Sequence, residues 1–339
     1  MRRFHGRMGR TEVFSLRSRL LAGNPLGDDP ERRIAVHLPA GYGDDPARRY
    51  PLLVALAGYT GSGLRQIAWQ GFTENLPERL DRLIGEGAMA PAIVAMPDCF
   101  TALGGNQYID SSAIGAWESF LVRELVPALD SRYATIGDRE HRGIFGKSSG
   151  GYGALMHGLR HPETWGAVAC HSGDLYFPYA YLPDLPLAVD ELARHGRSVP
   201  RFLAAFRGKQ KHSSREIHAL MVIAMAATYD PDPAAPLGFH LPMDLESGEI
   251  DPARWSRWLA HDPLELVADR FDALRSLRAL FIDCGTRDEY RLHHGARILH
   301  RRLESLGVPH EFEEFDDDHS SLDYRYDTSL PKLVAALSR

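Results

Sequence analysis

One stretch constrains this chain more than any other: Gly143-Ile144-Phe145-Gly146-Lys147-Ser148-Ser149-Gly150-Gly151-Tyr152-Gly153-Ala154-Leu155. It reads as a short apolar strand, a sharp turn and a helix. The turn carries Gly146-x-Ser148-x-Gly150, a spacing with a specific physical basis. A tight strand-to-helix turn lifts the central serine out of a sheet in a strained backbone conformation. Side chains two residues before and after it would collide with each other or with the turn, so both positions are glycine. Ser149 N–H, at the start of the helix, can then face a developing negative charge. An ordinary Gly/Ser turn is the plain alternative. The strand and helix on its two sides, and the partners that follow downstream in order, set that alternative aside.

Such a turn needs a buried, mostly parallel sheet, and the rest of the chain supplies one. Residues 11–21 and 32–38 alternate as two antiparallel strands around the turn region 24–30. The run at 50–57 is continuously apolar, as in a strand buried on both faces, and ends in Gly58-Tyr59-Thr60-Gly61-Ser62-Gly63. Strands are then expected at 90–96, 165–170, 277–283 and 311–315. Helices are expected at 74–85, 114–129, 293–306 and 330–337, and after Ser148 as far as His161-Pro162. Strand–helix alternation implies a sheet covered on both faces. It breaks off between 175 and 261, where the pattern gives helices (189–206, 214–228) and Pro-rich turns. The expected organisation is therefore an α/β core of residues 1–174 and 262–339 with a mainly helical cap insertion at 175–261.

Composition narrows the function. The 339 residues are 44% hydrophobic and 25% charged, enough for a large core. A net charge of -6 gives no basic surface for nucleic acid or anionic membrane. No segment approaches the roughly 20 apolar residues of a membrane span, and Met1–Arg7 is basic without the apolar run of a secretory leader. Cys99, Cys170 and Cys284 are far apart and sit in or at the ends of apolar strands. They read as buried small apolar residues, so a reducing cytoplasm is expected.

An alcohol becomes a useful nucleophile only when a base takes its proton. That base is expected on the loop after a late strand, and His319 follows strand 311–315 in Asp316-Asp317-Asp318-His319. The carboxylate that holds it should lie after the preceding strand. Asp288, on the loop 284–290, is the best placed. Asp283, fixed within the strand, and Glu289, one position on, are the alternatives. The order Ser148, Asp288, His319 is that of a Ser-His-Asp hydrolase with an α/β-hydrolase sheet. Two backbone donors should hold the oxyanion: Ser149 N–H, and Tyr59 N–H from the loop that Gly58 bends. Asn106, Gln107 and Tyr108, on a loop at a strand's carboxyl end, and Tyr179, in the aromatic run 176–182, are candidates for substrate contact. His171 and Asp174 are expected to be packed or hydrogen-bonded, and Met221 to be helix core. The run Asp316–His319 lacks a second ligand group at metal spacing, so no metal and no cofactor is expected.

With these residues in place, the chain resembles the putative-esterase family of α/β-hydrolases, which includes esterase D (S-formylglutathione hydrolase), enterochelin esterases, feruloyl esterases and the mycolyltransferase antigens. The matching stretches are Ala57–Ser62, Pro97–Phe100 with Gly104–Tyr108, Gly146–Ala154, Asp283–Asp288 and Asp318-His319. Many relatives have His where this chain has Ala57, and Gly-His-Ser-Met-Gly where it has Gly-Lys-Ser-Ser-Gly. These departures speak against the formylglutathione activity in particular. The resemblance implies a serine esterase acting on a small-molecule carboxylic ester or thioester through an acyl-enzyme on Ser148. An acyltransferase with an alcohol acceptor, or a non-catalytic binding module on the same scaffold, are the other readings.

Overall fold

A computed structural model of the chain describes residues 6–339; most of the basic start falls in residues 1–5, outside the described residues. Eight strands form one sheet: β1 (Arg10–Arg17), β2 (Glu31–Leu38), β3 (Leu52–Leu56), β4 (Ile93–Pro97), β5 (Arg142–Lys147), β6 (Ala167–His171), β7 (Ala279–Gly285) and β8 (Glu311–Phe315). Their order is β1-β2-β4-β3-β5-β6-β7-β8. β2 is antiparallel to both β1 and β4, and every other pairing is parallel. The principal helices are α1 (Leu76–Gly85), α2 (residues 117–132), α3 (Ser149–Arg160), α4 (Leu185–Ala193), α5 (Val199–Arg207), α6 (Ser214–Tyr229), α7 (Pro252–Leu259), α8 (Pro263–Arg275), α9 (Leu292–Ser305) and α10 (Tyr326–Leu337).

The period-2 alternation of the strands divides the core into two layers. Leu53 and Ala55 of β3, with Val94, Met96, Phe145, Ala169 and Phe281, meet α1 and α10. Leu52, Val54 and Leu56, with Ile93, Ala95, Ile144, Val168 and Ile282, meet the layer of α2, α3, α8 and α9. Both faces of the central strands are therefore covered, which is why these strands are apolar throughout. Among the described residues no helix is long and apolar enough to cross a membrane.

Several elements differ from the sequence expectation, each for a local reason. The first strand stops at Arg17, because Ser18 turns to hydrogen-bond Glu124 and its own N–H goes to Pro30 O. The helix expected at 189–206 is two helices. Gly196 and Arg197 take positive φ (64° and 55°), and Pro200 stands in the first turn of α5, where its missing N–H costs nothing. α2 carries a π-helical turn at Leu121–Leu125 just before Pro127, a residue that cannot close an i→i−4 hydrogen bond. No helix was expected at 263–275, yet α8 lies there, and α7 precedes it. Each opens on Asp-Pro: the Asp251 carboxylate accepts from Ala253 N–H and Arg254 N–H, and that of Asp262 from Leu264 N–H.

Residues 175–261 contribute α4, α5, α6 and α7, with α4 packed on α6. An aromatic cluster ties them to the core. Phe177, Tyr181, Tyr229 and Trp258 pack together, and Tyr152 of α3 lies 6.1 Å from both Phe177 and Tyr229. The Tyr152 hydroxyl also donates to His261 O at 3.0 Å.

Phe145 is fully buried in β5 and sits edge-on to Tyr326 of α10 at 5.1 Å. Phe145→Ala should lower unfolding stability by about 3–5 kcal/mol, read by chemical denaturation. A loss below about 1 kcal/mol would show that the α1/α10 layer closes over the gap.

Candidate active site

The turn after β5 has the geometry that its sequence demands. Ser148 sits at φ 58°, ψ -127°, a region that non-glycine residues enter only under constraint. A Cβ on Gly146 would stand 2.6 Å from Gly150 and from Leu56 O, and one on Gly150 would stand 2.3 Å from Leu56 O. The two glycines thus let the turn lie directly against the end of β3. Ser148 N–H donates to His171 O at 2.9 Å, which fixes the turn to β6 as well. Ser149 is the first residue of α3, so its N–H has no acceptor within the helix.

Across the sheet, β7 and β8 bring two loops together. Gly285 allows this: a Cβ there would meet Asp317 O at 2.4 Å. Asp288 is 3% exposed and its carboxylate is fully engaged. Oδ1 accepts from Tyr290 N–H at 2.9 Å and Leu292 N–H at 3.4 Å, at the start of α9. Oδ2 accepts from His319 Nδ1 at 2.7 Å and from the Cys284 thiol at 3.7 Å. With Nδ1 donating to a carboxylate, the His319 Nε2 lone pair is left for the cavity. Glu289 serves the same loop differently, accepting from His319 backbone N–H at 2.9 Å.

Asp283 is committed elsewhere. It accepts from His171 Nδ1 at 2.7 Å and from Arg325 Nε at 2.8 Å, while His171 Nε2 lies 2.8 Å from Ser329 Oγ. Ser329, His171 and Asp283 thus form a second Ser-His-Asp array. All three are at most 1% exposed and none lines the cavity described next, so this array packs the sheet against α10.

A cavity of about 360 Å³ lies over the strand ends. On the core side it is lined by Gly58, Tyr59, Thr60, Ser148, Ser149, Asp174 and His319; on the other by Ala180, Tyr181, Ile217, His218, Met221, Tyr290 and Leu292. Ser148 and His319 therefore share one cavity, although no hydrogen bond joins them; such bonds tighten when substrate binds. An adjoining cavity of about 210 Å³ shares Gly58, Thr60, Arg65, Lys147 and Ser321 but touches neither Ser148 nor His319.

A family model described as putative esterase matches residues 29–335. The chain belongs to the putative esterase family. Among curated proteins, an endo-1,4-beta-xylanase/feruloyl esterase of Xylanibacter ruminicola is 32% identical over 153 residues, covering 42% of this chain and 20% of that one. An esterase of Mycobacterium tuberculosis is 26% identical over 259 residues, 73% of this chain and 46% of that one. The chain thus spans less than half the length of these curated relatives. Among solved structures, a ferulic acid esterase matches with a TM-score of 0.65 at 22% identity, over 98% of this chain and 100% of that one. An S-formylglutathione hydrolase from Agrobacterium tumefaciens matches at 0.57 and 17% identity, over 98% of both chains. These likenesses show the α/β-hydrolase fold.

Against the family's esterase fold, the remaining sequence candidates fall into place. Asn106 and Tyr108 do not line the cavity. Both are buried: Asn106 Nδ2 donates to Cys99 O, its Oδ1 accepts from Tyr108 N–H, and Tyr108 hydroxyl donates to Ala57 O at 2.6 Å. Gly104 and Gly105 ahead of them press on Tyr59; a Cβ on Gly105 would lie 2.2 Å from Tyr59 O. This loop therefore buttresses the turn at Gly58-Tyr59 from behind instead of meeting a ligand. Gln107 lies one layer back, its Nε2 donating to Ser149 Oγ at 2.9 Å and Asp174 Oδ2 at 3.1 Å. Tyr179 is 44% exposed, stands edge-on to Tyr176 and His294, and is outside the cavity wall; Tyr181, two residues on, faces it. Met221, expected in the helix core, lines the cavity, as do His218 and Asp174. Ile217 and Met221, at i and i+4, share the face of α6 that meets the cavity.

The buttress rests on a buried histidine. His157 of α3 donates from Nε2 to Tyr108 O at 3.1 Å and accepts at Nδ1 from Trp165 Nε1–H at 3.2 Å, an arrangement that requires the neutral ring. Burial accordingly pulls its pKa from 6.5 down to about 4. A depressed folded-state value means that the unfolded chain takes up this proton first as pH falls. Stability should therefore be lost between about pH 6.5 and 4, by up to about 1.4 kcal/mol per pH unit from this residue. His157→Gln should flatten that part of the stability–pH curve; an unchanged slope would show the ring to be protonated in the fold.

The acids can be told apart by experiment. Asp288→Asn should lower ester turnover roughly 10²- to 10⁴-fold, since His319 loses its tautomer control and counter-charge. Asp283→Asn should instead lower the melting temperature, because it removes the charge from a buried carboxylate that holds both Arg325 and His171, with near-normal turnover of the folded fraction. Glu289→Gln keeps an acceptor for His319 N–H and should change turnover less than tenfold. Turnover beside melting curves for the three variants checks the assignment.

Proposed function

We propose that the protein is a serine carboxylic-ester hydrolase in which Ser148, His319 and Asp288 form the catalytic triad. The observation that carries this reading is the 2.7 Å hydrogen bond from His319 Nδ1 to Asp288, with His319 and a strained Ser148 lining one cavity. Family membership supports the reaction class, and the relatives named as esterase and feruloyl esterase agree with it.

In this mechanism Ser148 Oγ attacks the ester carbonyl as its proton passes to His319 Nε2. The carbonyl π pair moves onto oxygen, where Ser149 N–H and Tyr59 N–H hold the charge. The tetrahedral adduct collapses: the carbon–alkoxy bond breaks, the proton on Nε2 goes to the leaving oxygen, and Ser148 is left acylated. Water then attacks the acyl carbon as its proton passes to His319; the acyl–Oγ bond breaks, the proton returns to Ser148 Oγ, and the acid leaves. Asp288 keeps the imidazole in its working tautomer and faces the cation that forms twice in each cycle. All of these groups come from the chain itself. Residues 175–261 act as a cap. With Ala180, Tyr181, Ile217 and Met221 they furnish a largely apolar wall for a small-molecule ester.

Ser148→Ala should abolish 4-nitrophenyl acetate turnover by about 10⁴-fold or more, with an unchanged melting curve, and should remove labelling by a fluorophosphonate. Turnover within tenfold of the parent enzyme would overturn the assignment.

A further inference from the structure

Asp174 is a buried carboxylate in this cavity that the proposed chemistry leaves unused. It follows β6, is only 8% exposed and forms part of the cavity wall. Its Oδ2 accepts hydrogen bonds from Tyr181 hydroxyl at 2.9 Å and Gln107 Nε2 at 3.1 Å. Among the described residues nothing donates to Oδ1, and no Lys, Arg or His is paired with this carboxylate. Burial pushes its carboxyl above the usual range, against the pull of Tyr181 and Gln107. A buried acid with an open oxygen is costly to a fold unless something completes it. Here the side that remains open is the cavity.

The position is fixed firmly. Gln107 Nε2 bridges Asp174 Oδ2 and Ser149 Oγ, so the carboxylate stands two hydrogen bonds from the residue beside the nucleophile. The cavity wall carries apolar side chains, Ala180, Ile217, Met221 and Leu292, beside its polar groups, so a substrate that is otherwise apolar can reach the open oxygen of Asp174. A cationic partner is disfavoured, because Arg65, Lys147, His218 and His319 line the same cavity against Glu289 and Asp174 alone. A neutral donor fits: a hydroxyl.

We propose that Asp174 is a specificity-determining residue that accepts a hydrogen bond at Oδ1 from a hydroxyl of the substrate close to the scissile ester. This rests on the esterase reading above and adds a substrate class to it: short, otherwise apolar esters carrying a free hydroxyl. An ester without that hydroxyl leaves Oδ1 dry and unpaired, so discrimination arises from the penalty on the wrong substrate as much as from the bond with the right one.

The test compares matched esters in one enzyme preparation. One pair, 4-nitrophenyl 3-hydroxybutyrate and 4-nitrophenyl butyrate, places the hydroxyl on the acyl side. The other, 2-hydroxyethyl acetate and ethyl acetate, places it on the alcohol side. In the parent enzyme kcat/KM should favour the hydroxylated member by roughly tenfold or more in one pair, and that pair says which side Asp174 reads. In Asp174→Asn and Asp174→Ala the ratio should fall toward one. Because both esters meet the same active sites, the ratio is independent of how much of a variant folds. A parent ratio near one in both pairs overturns the proposal. So does a ratio that survives both substitutions, or an equal loss on both members of a pair, which would mean that Asp174 acts through His319. Fluorophosphonate labelling of the parent enzyme, with hydrolysis of the plain esters, reports separately on the Ser148 reading.

Discussion

The close approach of two backbones at the carboxyl end of the sheet governs the rest of the structure. Leu56 O, the last carbonyl of β3, occupies the space that a side chain on Gly146 or Gly150 would need. Because both residues are glycine, α3 can start directly over the β3–β5 seam. Ser148 is then forced to positive φ and Ser149 N–H is left at the head of a 12-residue helix. The strain in Ser148 is held by neighbours on either side: His171 O receives its N–H, and α3 is packed through Gly151 and Gly153 onto His171 O and Tyr108. The strained serine persists because the packing around it over-determines its backbone.

The same sheet carries two His–Asp pairs, and they are held differently. In each, a histidine Nδ1 lies 2.7 Å from a carboxylate. Ser329–His171–Asp283 is sealed between β6, β7 and α10, with Arg325 on the aspartate, and it can meet neither water nor substrate. His319 is partly exposed, and its carboxylate is held by amides at the start of α9 and a thiol instead of a guanidinium. A full counter-charge on the acid would weaken its attraction for an imidazolium; neutral donors fix its position without cancelling its charge.

Much of this was legible in the sequence, for physical reasons. The elbow spacing, the apolar runs of β3 and β4, and the strand–loop context of Asp288 and His319 are local constraints, and local constraints are written in consecutive residues. The Asp-Pro starts of α7 and α8 are equally local helix-start signals. Contacts made across the fold are different. Asn106 and Tyr108 sit on a loop of the kind that meets ligands, yet the need to back Tyr59 and Ala57 turns them inward. Tyr179 and Tyr181 are two residues apart in one aromatic run, and only the packing against Phe177 and Trp258 decides which faces the cavity. Asp174 and Met221 reach the cavity from elements far apart in sequence, so no pattern along the chain could have joined them.

The aromatic cluster that binds residues 175–261 to the core has a consequence for how this scaffold can diversify. Tyr152, Phe177, Tyr181, Tyr229 and Trp258 are all essentially buried, and Tyr152 belongs to the helix that begins just after Ser148. Residues 175–261 and the turn at Ser148 therefore share a single packed interior. Exchanging the segment wholesale for that of a relative would strand Tyr152 against surfaces not shaped for it, at the head of the helix whose placement matters most. New specificities on this chain are accessible by small steps at wall positions such as Ile217 and Met221, whose side chains end at the cavity, and not by transplanting modules.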